Sequence, residues 1–153
     1  MTPAASKTIW NATVNKKSFE LLINSNAVLL DVLRDQVGTL GVKRGCDLGT
    51  CGCCTVMVDG EPRLSCLCLA GQVSNTAITT VEGLANGAHL APIQACFAKY
   101  GGSQCGFCTP GFLVASQALL DENPEPSDQE IAEAIEGNLC RCTGSVSYTH
   151  LTL

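Results

Sequence analysis

Cys46, Cys51 and Cys54 stand in one short run, Gly45-Cys46-Asp47-Leu48-Gly49-Thr50-Cys51-Gly52-Cys53-Cys54. The spacing Cys-x4-Cys-x2-Cys, with a fourth cysteine further on, is that of a plant-type [2Fe–2S] loop. Cys66, in Leu64-Ser65-Cys66, is the candidate fourth ligand. Three thiolates converging on two irons from one loop force the backbone to curl around the cluster. Gly45, Gly49 and Gly52 suit that curl because they lack a Cβ. Their N–H groups can face anionic sulfur as a backbone nest. A zinc knuckle or a disulfide loop is the alternative reading of the same cysteines.

A second set lies downstream. Gln104-Cys105-Gly106-Phe107-Cys108-Thr109-Pro110-Gly111 is followed by Gly137-Asn138-Leu139-Cys140-Arg141-Cys142-Thr143-Gly144. Cys105-x2-Cys108 puts two thiolates at one end of an expected helix, and Cys140-x-Cys142 puts two more at the start of another. Two helix N-termini facing one dianionic cluster would supply positive dipole ends and free N–H groups. Arg141, between two candidate ligands, either adds charge there or is a solvated side chain. A lone Cys-x2-Cys is a weak signal, and Cys-x-Cys a weaker one. Their weight comes from standing beside a complete first set.

Taken together and in this order, the two sets resemble the iron–sulfur subunit of the molybdenum hydroxylases, which include xanthine dehydrogenase, aldehyde oxidoreductase, carbon monoxide dehydrogenase and 4-hydroxybenzoyl-CoA reductase. The resemblance spans residues 19–144, and the pair QCGFCTPG and GNLCRCTG carries it. It implies two [2Fe–2S] clusters in this chain. Cys46, Cys51, Cys54 and Cys66 would hold one, and Cys105, Cys108, Cys140 and Cys142 the other. It further implies a large molybdenum-pterin subunit and a medium FAD subunit as partners. Gln104 and Cys142 would lie against the pterin; the other reading of Gln104 is that it satisfies backbone groups in the helical half. The family has a small residue such as Ala where Cys53 stands, so Cys53 is expected to be a bystander. Cys68 and Cys96 read as small buried apolar residues.

Composition bounds the remaining classes. The chain has 153 residues, enough for one domain or two small ones, and 46% are hydrophobic, enough for a core. A net charge of −5 argues against nucleic-acid binding, which calls for a basic stripe. No apolar run approaches the roughly 18 residues of a membrane span. Residues 1–7 have no apolar stretch behind them, so no secretory signal is expected. The eleven cysteines therefore read as metal-binding in a cytoplasmic chain rather than as a disulfide framework. The histidines, His89 and His150, do not pair with cysteines as a Rieske centre requires.

The order of elements predicts an α+β chain. Residues 8–14 and 17–23 alternate around Asn15-Lys16, a hairpin. Asn26 precedes an apolar-periodic run over 28–37 with Gly38 beyond it, which reads as a helix capped by Asn26. Residues 55–58 and 61–65 flank the turn signal Asp59-Gly60, and 76–81 reads as a last strand. This is the order of a β-grasp ferredoxin, which the resemblance also implies. Gly83, Asn86 and Gly87 mark residues 82–91 as a boundary. Beyond it, Pro92 opens a helix through 99 and Pro110 another to about 120. Ser127-Asp128-Gln129-Glu130 is a capping box before a third, and a fourth starts near Leu139. The expected units are thus a β-grasp ferredoxin-like domain at 1–82 and a small four-helix-bundle [2Fe–2S] domain at 83–144. Residues 145–153 read as a non-native tail, since they can be encoded by TCT GTC TCT TAT ACA CAT CTG ACG CTG, a string that resembles a transposon-type sequencing adapter read in frame.

Such a chain is expected to transfer electrons inside a molybdenum-dependent oxidoreductase, with no substrate-chemistry site of its own. The alternatives are a free-standing two-cluster ferredoxin and a zinc-stabilised structural module.

Overall fold

A computed structural model describes residues 6–142. Strands β1 (Lys7–Val14) and β2 (Lys17–Asn24) pair antiparallel in the register Val14↔Lys17. Their turn residues Asn15 and Lys16 both have positive φ, 49° and 67°, the backbone of a two-residue turn whose twist matches the strands. Trp10, Ala12 and Val14 alternate inward along β1 and are buried. A second hairpin joins β3 (Thr55–Val58) to β4 (Glu61–Leu64) through Asp59 and Gly60, again both at positive φ. Strand β5 (Ala77–Thr79) lies between the hairpins, parallel to β1 and antiparallel to β3. The sheet order is β2-β1-β5-β3-β4.

Helix α1 (Leu29–Asp31) runs directly into a π-helical turn, Val32–Val37. Leu29, Leu30, Val32 and Leu33 are buried against Trp10, Ile23, Val56 and Ile78 as one core. The expected cap at Asn26 is not formed. Val28 precedes the helix without a side-chain cap, and the Leu29 N–H instead donates to the Cys68 carbonyl at 2.8 Å. A backbone acceptor from elsewhere in the chain thus takes the first orphan donor. Gly38 ends the segment at φ 87°, as expected. Two 3-10 turns, Ser65–Leu67 and Ala70–Val73, carry the chain from β4 towards β5.

Four helical segments follow: α2 (Val81–Leu84), α3 (Pro92–Lys99), α4 (Thr109–Glu122) and α5 (Asp128–Ile135). Ile93, Phe97, Phe112, Leu113 and Ile135 form a second core. Strand β3 is buried at every position, because α4 packs against it from the side away from α1. The segment at 82–91 is less of a loop than its glycines predict. Glu82 accepts from the Gly41 N–H at 2.6 Å and from the Thr80 hydroxyl, and Gln94 donates to the Val81 carbonyl. Val81 and Leu84 pack on the second core.

Ser127 and Glu130 form the expected capping box at α5. No helix starts within residues 139–142, contrary to expectation; that stretch is irregular, and the Leu139 N–H bonds across to the Cys51 carbonyl. The tail at 145–153, with His150, lies outside the described residues. Among the described residues, no helix is long and apolar enough to cross a membrane.

Candidate metal centres

The loop from Gly38 to Cys54 is fastened to the helix that precedes it. Arg34 donates to the carbonyls of Leu40 and Val42. Arg44 bridges two carboxylates, Asp31 at the end of α1 and Asp47 inside the loop. Asp47 and Gly49 both sit in the left-handed region, at φ 57° and 73°. That backbone turns the Leu48 N–H onto Cys46 Sγ at 3.4 Å. Chiefly because of this donor, then through the Thr50 hydroxyl and N–H, the Cys46 thiol is pulled down to about 6. That shift favours the thiolate, the form that binds metal.

The other three expected ligands of the first set lie beside it. Cys51 hydrogen-bonds Cys46. A Cβ on Gly45 would meet Cys51 Sγ at 2.7 Å, so glycine is needed for the two to approach. The β3–β4 register Thr55↔Leu64 brings Cys54 alongside Ser65, whose hydroxyl donates to the Cys54 carbonyl at 2.7 Å. Cys66 follows directly and faces both Cys54 and Cys46. Its thiol is pushed up to about 11, first by burial and then by Cys54. Four thiols, an N–H donor and a Cβ-free wall make a set that fits a [2Fe–2S] core. Among the described residues, no three His, Cys, Asp or Glu side chains converge as a single-ion site. A two-iron core divides its four thiolates between two irons and needs no such convergence.

The second set ranges from buried to exposed. Cys108 is the N-cap of α4, with a proline in the helix's first turn. Cys108 and Cys140 share the second core, while Cys105 is exposed and Cys142 half-buried. Cys140 Sγ donates to the Cys142 carbonyl at 3.7 Å. Gln104, Phe107 and Arg141 are exposed. Arg141 is therefore a surface side chain.

Cys53 lies beside the ligand set, its Sγ donating to the Cys51 carbonyl at 3.7 Å. It is buried in the second core and lies near Cys108 as well as Cys51 and Cys54. Burial first, and then Cys51, push its thiol up to about 12. Cys68 is buried in the first core, where desolvation raises its thiol. Cys96 is half-buried on α3.

Sequence reasoning misses the seam between the two sets. The Leu139 N–H donates to the Cys51 carbonyl at 2.9 Å, and Asn138 Nδ2 to the Gly52 carbonyl at 3.2 Å. A Cβ on Gly111 would meet the Gly52 carbonyl oxygen at 2.3 Å, and one on Gly52 would meet the Gly137 oxygen at 2.6 Å. Gly52 and Gly111, far apart in the chain, thus let the two loops touch backbone to backbone.

The comparisons with known proteins match both halves. The family described as "2Fe-2S iron-sulfur cluster binding domain" matches residues 5–98, and that described as "[2Fe-2S] binding domain" matches residues 80–150. The chain is 45% identical over 136 residues to the nicotinate dehydrogenase small FeS subunit of Eubacterium barkeri, covering 89% of this chain and 87% of that one. It is 45% identical over 131 residues to the nicotine 6-hydroxylase small subunit of Paenarthrobacter nicotinovorans, covering 86% and 79%. Among solved structures, quinoline 2-oxidoreductase from Pseudomonas putida 86 superposes with a TM-score of 0.90 at 43% identity, covering 95% of this chain and 90% of that one. The chain belongs to the iron–sulfur subunit family of the molybdenum hydroxylases.

Proposed function

We propose that this chain holds two [2Fe–2S] clusters and relays electrons between a molybdenum-pterin centre on a large subunit and FAD on a medium subunit. Cys46, Cys51, Cys54 and Cys66 hold one cluster, on a β-grasp ferredoxin-like unit at residues 1–82. Cys105, Cys108, Cys140 and Cys142 hold the other, on the helical unit at 83–144. When bound, the clusters supply one-electron redox chemistry; the chain's residues position and tune them. Eleven free thiols are consistent with a reducing, cytoplasmic setting.

The observation that carries this reading is the Leu139–Cys51 hydrogen bond. Cys51 is a ligand of one set, and Leu139 precedes a ligand of the other. One covalent step and one hydrogen bond therefore join the two ligand loops. The relatives also point this way. Their names give different substrates, nicotinate, nicotine and aldehydes, yet all carry this kind of chain. That is expected of a part that handles electrons rather than substrate.

Gln104 is exposed directly before Cys105, where a partner subunit can reach it. The helical cluster is the one that takes electrons from the pterin centre, with Gln104 and Cys142 against that cofactor. Freeze-quench EPR on the assembled three-subunit enzyme tests the order. After substrate is added, the helical cluster is reduced no later than the other; the opposite order contradicts the route. Gln104→Ala keeps both clusters but slows that first reduction. If it lowers only thermal stability, Gln104 is structural.

A further inference from the structure

We propose that Arg44 is a positioning residue that sets the reduction potential of the first cluster by holding Asp47 in its left-handed conformation. This rests on the reading that Cys46, Cys51, Cys54 and Cys66 hold a [2Fe–2S] cluster.

Asp47 follows the ligand Cys46 at φ 57°. That region is unfavourable for any residue with a Cβ, though aspartate visits it more readily than most. Its carboxylate is tied to the Arg44 guanidinium, whose other edge is tied to Asp31 on α1. A planar guanidinium fork suits two carboxylates at once. Asp47 is thereby anchored to a helix whose Leu29 and Leu30 are wholly buried.

The consequence falls on the sulfur. With Asp47 and Gly49 both left-handed, the Leu48 N–H points at Cys46 Sγ. Hydrogen bonds to ligand sulfurs help set the potential of an iron–sulfur cluster. A donor there favours the reduced state, which carries the extra negative charge, and so raises the potential. Release of Asp47 would turn the Leu48 N–H away. The three charged side chains are about half exposed, and exposed pairs of this kind contribute little to global stability. The effect of Arg44 is therefore read in the potential and not in the fold.

Glycine adopts the left-handed conformation without a tether, which separates positioning from simple charge. The experiment is an EPR-monitored redox titration of the chain carrying both clusters, with the first-set signal assigned as the one that Cys66→Ser alters. Arg44→Ala is expected to shift the midpoint of the first cluster downward and leave the second unchanged. Asp47→Gly is expected to leave the first midpoint near wild type, and adding Arg44→Ala to it to produce no further shift. An equal downward shift in both backgrounds would mean that Arg44 acts as a through-space charge, overturning the proposal. No shift in Arg44→Ala overturns it too. Absence of any first-set EPR signal in the wild-type chain would instead remove the cluster assignment beneath it.

Discussion

The backbone N–H of Leu139 donates to the carbonyl of Cys51 at 2.9 Å, tying the approach to Cys140 to the first cysteine loop. The Leu139 side chain is exposed, so the backbone bond is its main tie to that loop. Leu139→Pro removes the donor. It should cost about 1 kcal/mol of stability, the typical net worth of one hydrogen bond, and slow electron transfer between the clusters. Flash reduction with optical detection of each cluster measures the second effect, and an unchanged rate would remove this bond from the route.

Gly52→Ala should be among the costliest single changes in the chain. Gly52 sits at φ 70°, and a Cβ there would meet the Gly137 carbonyl oxygen at 2.6 Å. Left-handed strain and overpacking together come to roughly 2–5 kcal/mol. Gly60→Ala is the control, since Gly60 is left-handed too but has nothing within 4 Å of its Cβ position. It should cost only about 1–2 kcal/mol. Chemical denaturation of the two variants gives the difference.

In the metal-free chain the thiols should alkylate in a set order. Cys46, pulled down to about 6, is mostly thiolate above that pH. Its iodoacetamide rate should rise with pH through about 6 and then level off. Cys66 and Cys53, pushed up to about 11 and about 12, should stay slow at neutral pH. Mass spectrometry after short pulses from pH 5 to pH 9 reads all three.

Ser127→Ala should destabilise α5 by about 1 kcal/mol, the usual cost of losing an N-cap. The Ser127 side chain, and then its backbone N–H, hold the Glu130 carboxyl below the ordinary range. A depressed folded value means that the stabilisation is present above the unfolded carboxylate range, near pH 4.3, and is lost as pH falls through the folded value. The gap between variant and wild type should therefore narrow from pH 7 into acid without closing, because the Glu130 N–H still donates to the Ser127 hydroxyl there, as urea melts at the two pH values would show.

Local signals made the hairpins legible. Asn15-Lys16 and Asp59-Gly60 declare their turns without help from the rest of the chain. The Ser127–Glu130 box is equally local. The α1 cap was not legible, because its acceptor is the carbonyl of Cys68, far along the chain and without a side-chain signature. The cysteine sets could be read from spacing, yet their seam could not. Gly52, Gly111 and Asn138 acquire meaning only when the fold brings them together. Arg44 is similar: nothing in its neighbourhood announces Asp31 as a partner.

Two complete four-cysteine sets are the centre of this account, and an iron and acid-labile sulfide count on the fully assembled chain tests them most directly. Four iron and four sulfide per chain are expected, and the same count in Cys53→Ala, since each set already has four cysteines without Cys53, which is buried in the second core. Two iron and two sulfide after full reconstitution of the wild-type chain would contradict it.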